Sequence, residues 1–226
     1  MKSLLPALLL LLAPALAEDA PPAATGPQAK IETSLGAIVV ALDAEKAPAT
    51  VKNFRRYVKD KHFDGTVVYR VVPGFVIQMG SVTATGLGRK MPVHPPVALE
   101  SANGLKNLRG AVAMARADAP ASATSEFFID LADNTFLDAK PTAAPNKTGY
   151  AVFGRVVAGM EVADAIAAVP LKGGKGPFPE YFPKTPVKIL KVTVSDTPFV
   201  VPAPVPPPPA APAAADDQPP SNAATP

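Results

Sequence analysis

The sequence predicts a mainly β protein in which about eight short strands close into a barrel whose open ends are plugged by two helices. Three observations carry this expectation. Short β-branched and aromatic runs recur through the body of the chain. Gly, Pro and Asn separate them. Only two stretches place apolar residues at helical spacing. The strand pattern alone fits a barrel or a sandwich, and the helices among the strands favour the plugged barrel.

Lys30 to Leu42 (KIETSLGAIVVAL) reads as two strands around a Ser34-Leu35-Gly36 turn. Ala47 to Asp60 (APATVKNFRRYVKD) reads as the first helix. Pro48 suits a helix start, where its missing N–H has no partner to lose, and Val51, Phe54 and Val58 share one face. Lys52, Arg55, Arg56 and Lys59 form a solvated face opposite. Thr66 to Val72 and Phe75 to Met79 are the next two strands, split by Pro73-Gly74. Gly110 to Ala115 and Glu126 to Leu131 follow, then Tyr150 to Val157. Gly159 to Val169 reads as the second helix, with Met160, Ala163, Ile166 and Ala167 on one face. Val187 to Val194 is the last strand.

Both ends lie outside this body. Residues 1–17, MKSLLPALLLLLAPALA, pair Lys2 with a leucine-rich run and an Ala15-Leu16-Ala17 small-x-small pattern. That is the form of a secretory signal peptide cleaved after Ala17, and the run is short for a bilayer span. The mature chain is expected to be soluble and exported, to the periplasm or beyond, with no membrane insertion. Residues 18–28 form a Pro/Ala linker and residues 29–196 the domain, a body of about 170 residues that suits one core. Residues 197–226 repeat Pro and Ala with little to bury, the composition of a disordered or polyproline tail.

The composition also removes chemistries. With no cysteine there is no disulfide, thiolate metal site or cysteine nucleophile. Two histidines, His62 and His94, leave little from which to build a metal centre or a Ser-His-Asp triad. A net charge of +3 with no basic cluster marks no nucleic-acid footprint. Nothing asks for a cofactor or for more than a monomer.

One charge is out of place. Tyr69 to Gly80 reads YRVVPGFVIQMG, an apolar strand-turn-strand that carries Arg70. An edge strand with its charge in water is the plain account. A ligand that needs a cation against an apolar wall is the other. The surroundings favour the second. Phe63-Asp64-Gly65-Thr66 followed by Tyr69-Arg70-Val71-Val72-Pro73-Gly74-Phe75-Val76-Ile77-Gln78 is similar to F-x-x-x-x-F-H-R-V-I-P-G-F-x-x-Q-G-G. Asn103-Gly104-Leu105, Arg109-Gly110 and Ala113-Met114-Ala115-Arg116 form a second block. Ser122 to Ile129, Phe136-Leu137-Asp138 and Tyr150 to Val156 form a third. Through these blocks, residues 30 to 195 resemble the cyclophilins, a family of peptidyl-prolyl cis-trans isomerases, and look closest to bacterial exported members.

The resemblance implies a closed eight-stranded antiparallel barrel capped by two helices. It also implies a reaction, rotation about X-Pro bonds in proline-containing polypeptides, which needs no covalent intermediate, metal or proton transfer. Arg70 takes the catalytic position, donating to the proline nitrogen, and a guanidinium is a rigid fork of donors. Phe75, Val76, Phe128 and Leu137 match the socket for the ring. Read singly, these four are core packing; in the order of the motif they become a pocket wall. Gln78 matches the glutamine that supports the arginine. Ala115 and Arg116 match positions that meet the substrate backbone, and Phe136 and Tyr150 match the rim. Five residues depart from the pattern. Glu126 replaces a glutamine and is placed to pair with Arg70 or Arg116. Tyr69 replaces a histidine, Met79 a glycine, and Val76 a methionine. Phe136 stands where cyclosporin-sensitive relatives carry tryptophan. The departures leave open a second function, a proline-peptide binding module or holdase with little turnover. Strand alternation poses a further problem: it puts Arg70 and Gln78 on one parity and Phe75 on the other, so Pro73-Gly74 must reset the register for all three to face one pocket.

Overall fold

The computed structural model describes residues 26–199, apart from 86, 87, 92, 142, 143, 145, 146 and 175. The expected signal peptide and almost all of the expected linker and tail lie outside the described residues. Nine strands run β1 Gln28–Thr33, β2 Gly36–Leu42, β3 Val67–Val68, β4 Arg70–Val72, β5 Val76–Met79, β6 Ala111–Met114, β7 Phe127–Asp130, β8 Val152–Ala158 and β9 Val187–Ser195. Helix α1 spans Pro48–Lys59 and α2 Met160–Ala167. No helix among the described residues is long and apolar enough to cross a membrane.

The strands form one sheet in the order β3-β9-β1-β2-β8-β6-β7-β5-β4. Every pairing is antiparallel. The two outermost strands, β3 and β4, are separated in sequence by Tyr69 alone. The chain from Thr66 to Val72 therefore pairs with β9 through its first half and with β5 through its second. Chain continuity closes the barrel almost completely. The expected strand count of eight becomes nine because this one run divides at Tyr69, whose side chain is buried.

Local chemistry sets the element ends. Between β1 and β2, Thr33 pairs with Gly36 across a two-residue turn. The Thr33 hydroxyl donates to the Gly36 carbonyl at 2.8 Å and accepts from the Leu35 N–H at 3.0 Å. Helix α1 has Pro at its start and no side chain of its own over its N-terminus. Glu100 supplies the cap from a distant loop: its carboxylate accepts the N–H groups of Ala49 (3.1 Å) and Thr50 (2.9 Å) and the Thr50 hydroxyl (2.6 Å). An anion at that end also suits the helix dipole. Gln28, expected at the end of the linker, instead opens β1. There its side-chain carbonyl accepts the N–H of Phe199 at 3.0 Å, holding the start of the tail segment.

Both helices bury one face in the main core. From α1, Phe54 stacks on Phe63 at 5.1 Å and meets Phe127 edge-on at 5.5 Å. From α2, Ala163 and Ile166 are fully buried. Val71, Ile77, Ile129 and Val112 lie opposite one another on β4, β5, β7 and β6 and face that core. The pleat sends the adjacent row to the other side of the sheet.

Candidate active site

That adjacent row reads Arg70, Gln78, Phe128, Ala113 and Val152 across β4, β5, β7, β6 and β8. One line of register therefore puts a cation, an amide, an aromatic ring and two small apolar groups on the outer face of the barrel. Val76, Ala111, Ala113, Phe128 and Val152 form a separate buried apolar cluster there. Phe75, Leu105, Ala115, Leu137 and Tyr150 pack on it, half-buried. Ala111 and Ala113 keep the floor low, while Phe128 stands beside Tyr150 at 5.6 Å with their planes nearly perpendicular. The result is an apolar recess with aromatic sides.

Arg70 borders this recess. Its Nη1 donates to Gln78 Oε1 at 3.1 Å. The Gln78 amide in turn donates to the Tyr69 hydroxyl. Burial raises the Tyr69 phenol well above its ordinary range, so it stays protonated. The guanidinium carbon lies 5.8 Å from the Phe75 ring centre, close enough for cation–π attraction. The parity problem resolves at the turn. Val72 and Val76 pair directly, and the Phe75 N–H donates to the Val72 carbonyl at 3.0 Å. Gly74, at φ 72°, takes the left-handed position that a type II turn requires after Pro73. Phe75 thus belongs to the turn and is free of strand alternation. Its carbonyl is fixed by the N–H of Leu131 at 2.8 Å and the Asn134 amide at 3.0 Å.

The other expected residues fall into three places. Phe136 is 70% exposed and stacks on Phe75 at 5.6 Å, extending the wall outward. Arg116 lies behind Tyr150, with its guanidinium 5.1 Å from that ring and its Nε donating to the Gly149 carbonyl at 2.9 Å. Its side chain thus braces the rim. Glu126 is buried and pairs with neither Arg70 nor Arg116. It accepts from the Ser81 hydroxyl and lies 3.5 Å from the Arg89 guanidinium. Burial raises its carboxyl, with Ser81, Arg89 and a hydrogen bond from Tyr69 opposing the rise. Two aromatic residues escaped the sequence reading. Phe178 and Tyr181, in the loop before β9, put their ring centres 4.9 and 5.9 Å from the Arg70 guanidinium. A cavity of about 920 Å³ adjoins the cluster through Leu105, Ala111 and Val152, but neither Arg70 nor Phe128 lines it. The Arg109 on its wall is committed to Asp164 at 2.7 Å.

The chain is similar to known proteins in sequence and in fold. The family model described as cyclophilin type peptidyl-prolyl cis-trans isomerase/CLD matches residues 28–194. Peptidyl-prolyl cis-trans isomerase A of Dickeya dadantii is 45% identical over 167 residues, 74% of this chain and 84% of that protein. Peptidyl-prolyl cis-trans isomerase B of Escherichia coli is 42% identical over 164 residues, 73% of this chain and 97% of that protein. A crystal structure of a cyclophilin type isomerase from Cryptosporidium parvum superposes with a TM-score of 0.60 at 22% identity, over 76% of this chain and 99% of that one. A family model spanning nearly all of the described barrel, with relatives at this identity, shows that the chain belongs to the cyclophilin-type peptidyl-prolyl cis-trans isomerases.

Proposed function

We propose that this isomerase works on exported polypeptides and that Arg70 carries the chemistry by donating to the nitrogen of a proline seated on Phe128. The observation behind the reading is the single register row that sets Arg70 beside Gln78 and Phe128 at the edge of an apolar recess. The barrier to X-Pro rotation, about 18–20 kcal/mol, comes from delocalisation of the nitrogen lone pair into the carbonyl. Twisting the bond returns that lone pair to the nitrogen. A cationic donor aimed there stabilises the twisted state more than either planar isomer, which is what lowers a barrier. Val76, Phe128 and Leu137 hold the ring while the carbonyl side turns. Gln78 holds the Arg70 fork, so little reorganisation accompanies the step.

The test follows cis-to-trans relaxation of an Ala-Pro peptide. Arg70→Ala should lose about 10²–10³ in rate, the size of effect seen when a pre-organised donor is removed. Equal rates in the two proteins would refute the role. Peptide binding without acceleration by the unmodified protein would move the assignment to a binding module or holdase. The exported setting rests on the first 17 residues. Expression of the whole chain in a bacterial host, followed by fractionation, should give a periplasmic protein that begins at Glu18.

A further inference from the structure

We propose that Phe178 is a positioning residue that fixes the plane of the Arg70 guanidinium; the inference rests on the reading of Arg70 as the catalytic donor. One hydrogen bond from Nη1 to Gln78 ties down one corner of a flat fork and leaves it free to swing about that contact. A ring over its face removes that freedom. Phe178 lies at 4.9 Å, nearer than Phe75 at 5.8 Å or Tyr181 at 5.9 Å. Phe178 is itself braced, stacking on Tyr69 at 6.2 Å with the planes 16° apart. Tyr69 takes the Gln78 amide hydrogen on its hydroxyl. Four side chains therefore close a circuit: Arg70 to Gln78 by one hydrogen bond, Gln78 to Tyr69 by another, Tyr69 to Phe178 by stacking, and Phe178 back to Arg70 by cation–π contact. Three come from the β4–β5 hairpin and its lead-in. The fourth arrives from the loop between α2 and β9.

That loop is built to deliver a ring. Pro177 and Pro179 flank Phe178 and restrict the backbone on both sides. A 3-10 turn, Pro179–Tyr181, follows directly. Phe182 is fully buried in a small cluster with Val67, Tyr69 and Val82, which anchors the loop to the same tyrosine. The Gly173 N–H donates to the Phe182 carbonyl at 2.9 Å, and the Lys184 N–H to the Pro170 carbonyl at 2.8 Å, pinning both limbs. Phe178 remains 37% exposed, more than fold stability alone would ask of an aromatic anchor.

The test measures Ala-Pro isomerisation and thermal unfolding for the full chain and for Phe178→Ala, Phe178→Leu, Phe178→Tyr and Arg70→Ala. Phe178→Ala should lower kcat/KM roughly tenfold, chiefly through kcat, with Tm lowered by only a few degrees, since the ring orients a donor and is more than a third exposed. Phe178→Tyr should restore the rate, because it keeps the ring face. Phe178→Leu should not, because it keeps the bulk without the ring. A leucine variant as active as the wild type would overturn the proposal in favour of simple packing. A loss confined to KM would overturn it in favour of direct substrate contact. Full activity of Phe178→Ala beside an inactive Arg70→Ala would refute Phe178 alone, whereas full activity of Arg70→Ala would refute the catalytic reading beneath it.

Discussion

Asp130 gives a quantitative test of how the pocket face is assembled. It sits on the same side of β7 as Phe128, opposite Val76, and is fully buried. Burial pushes its carboxyl up to about 7; the nearby Asp138 adds to the rise, and the Asn134 amide, donating to Oδ1 at 2.7 Å, opposes it. An unfolded aspartate titrates near 3.9. Between about pH 4 and 7 the folded chain therefore holds a proton that the unfolded chain has released, and stability falls as pH rises through that window. A displacement of this size corresponds to at most about 4 kcal/mol, and relaxation around a buried charge reduces the expected effect to about 1–3 kcal/mol. Asp130→Asn keeps the acceptor for Asn134 and removes the charge. Its Tm should exceed that of the wild type by roughly 3–8 °C at pH 8, and the gap should narrow steadily as the pH falls towards about 4. Thermal unfolding of both proteins from pH 4.5 to 8.5 provides the comparison, and the difference between the curves isolates this group from every other titration. Parallel curves would show that Asp130 ionises normally and that the burial argument is wrong.

Three further outcomes can be measured. Phe54→Ala removes the ring that contacts Phe63, Phe127 and Phe153, and urea unfolding should show a loss of about 3–5 kcal/mol. Gly80→Ala should also destabilise, by more than the roughly 1 kcal/mol that the same change gains at a site whose backbone accepts it. At φ 152° its Cβ would fall 2.5 Å from the Ser125 carbonyl oxygen and 2.7 Å from Glu126 Cα, both backbone atoms; unchanged stability would mean that the two segments separate easily. Arg116→Met should raise KM several-fold with kcat held, because it frees Tyr150 and the Gly149 carbonyl while leaving Arg70 untouched; a fall in kcat alone would place Arg116 in the chemical step instead.

Most of the barrel was legible because its strands are β-branched runs bounded by Gly and Pro, and both helices show their apolar faces at the right period. The recess was legible through the order of the motif: register does align Arg70, Gln78 and Phe128. What escaped lies where residues far apart in sequence meet. Local pattern gives Tyr69 no reason to divide a strand, since its side chain is buried by Phe182 from the distant loop. Glu126 reads as a partner for a pocket arginine, yet the irregular segment after β5 brings Ser81 and Arg89 to it first. Phe178 sits in a Gly- and Pro-rich stretch without periodicity, so nothing local marks it as facing Arg70. Phe75 shows the converse, where the Pro-Gly signal of a turn was enough to explain its side of the sheet.

The closure of the barrel through one chain segment also bears on edge-to-edge association. Unfolded polypeptides carry unpaired backbone groups and join any strand edge left open to them. Here the ladder ends in β3, two residues long, and β4, three residues long. Such short ends expose few unpaired backbone groups, so the barrel offers a strand of another chain almost nothing to extend.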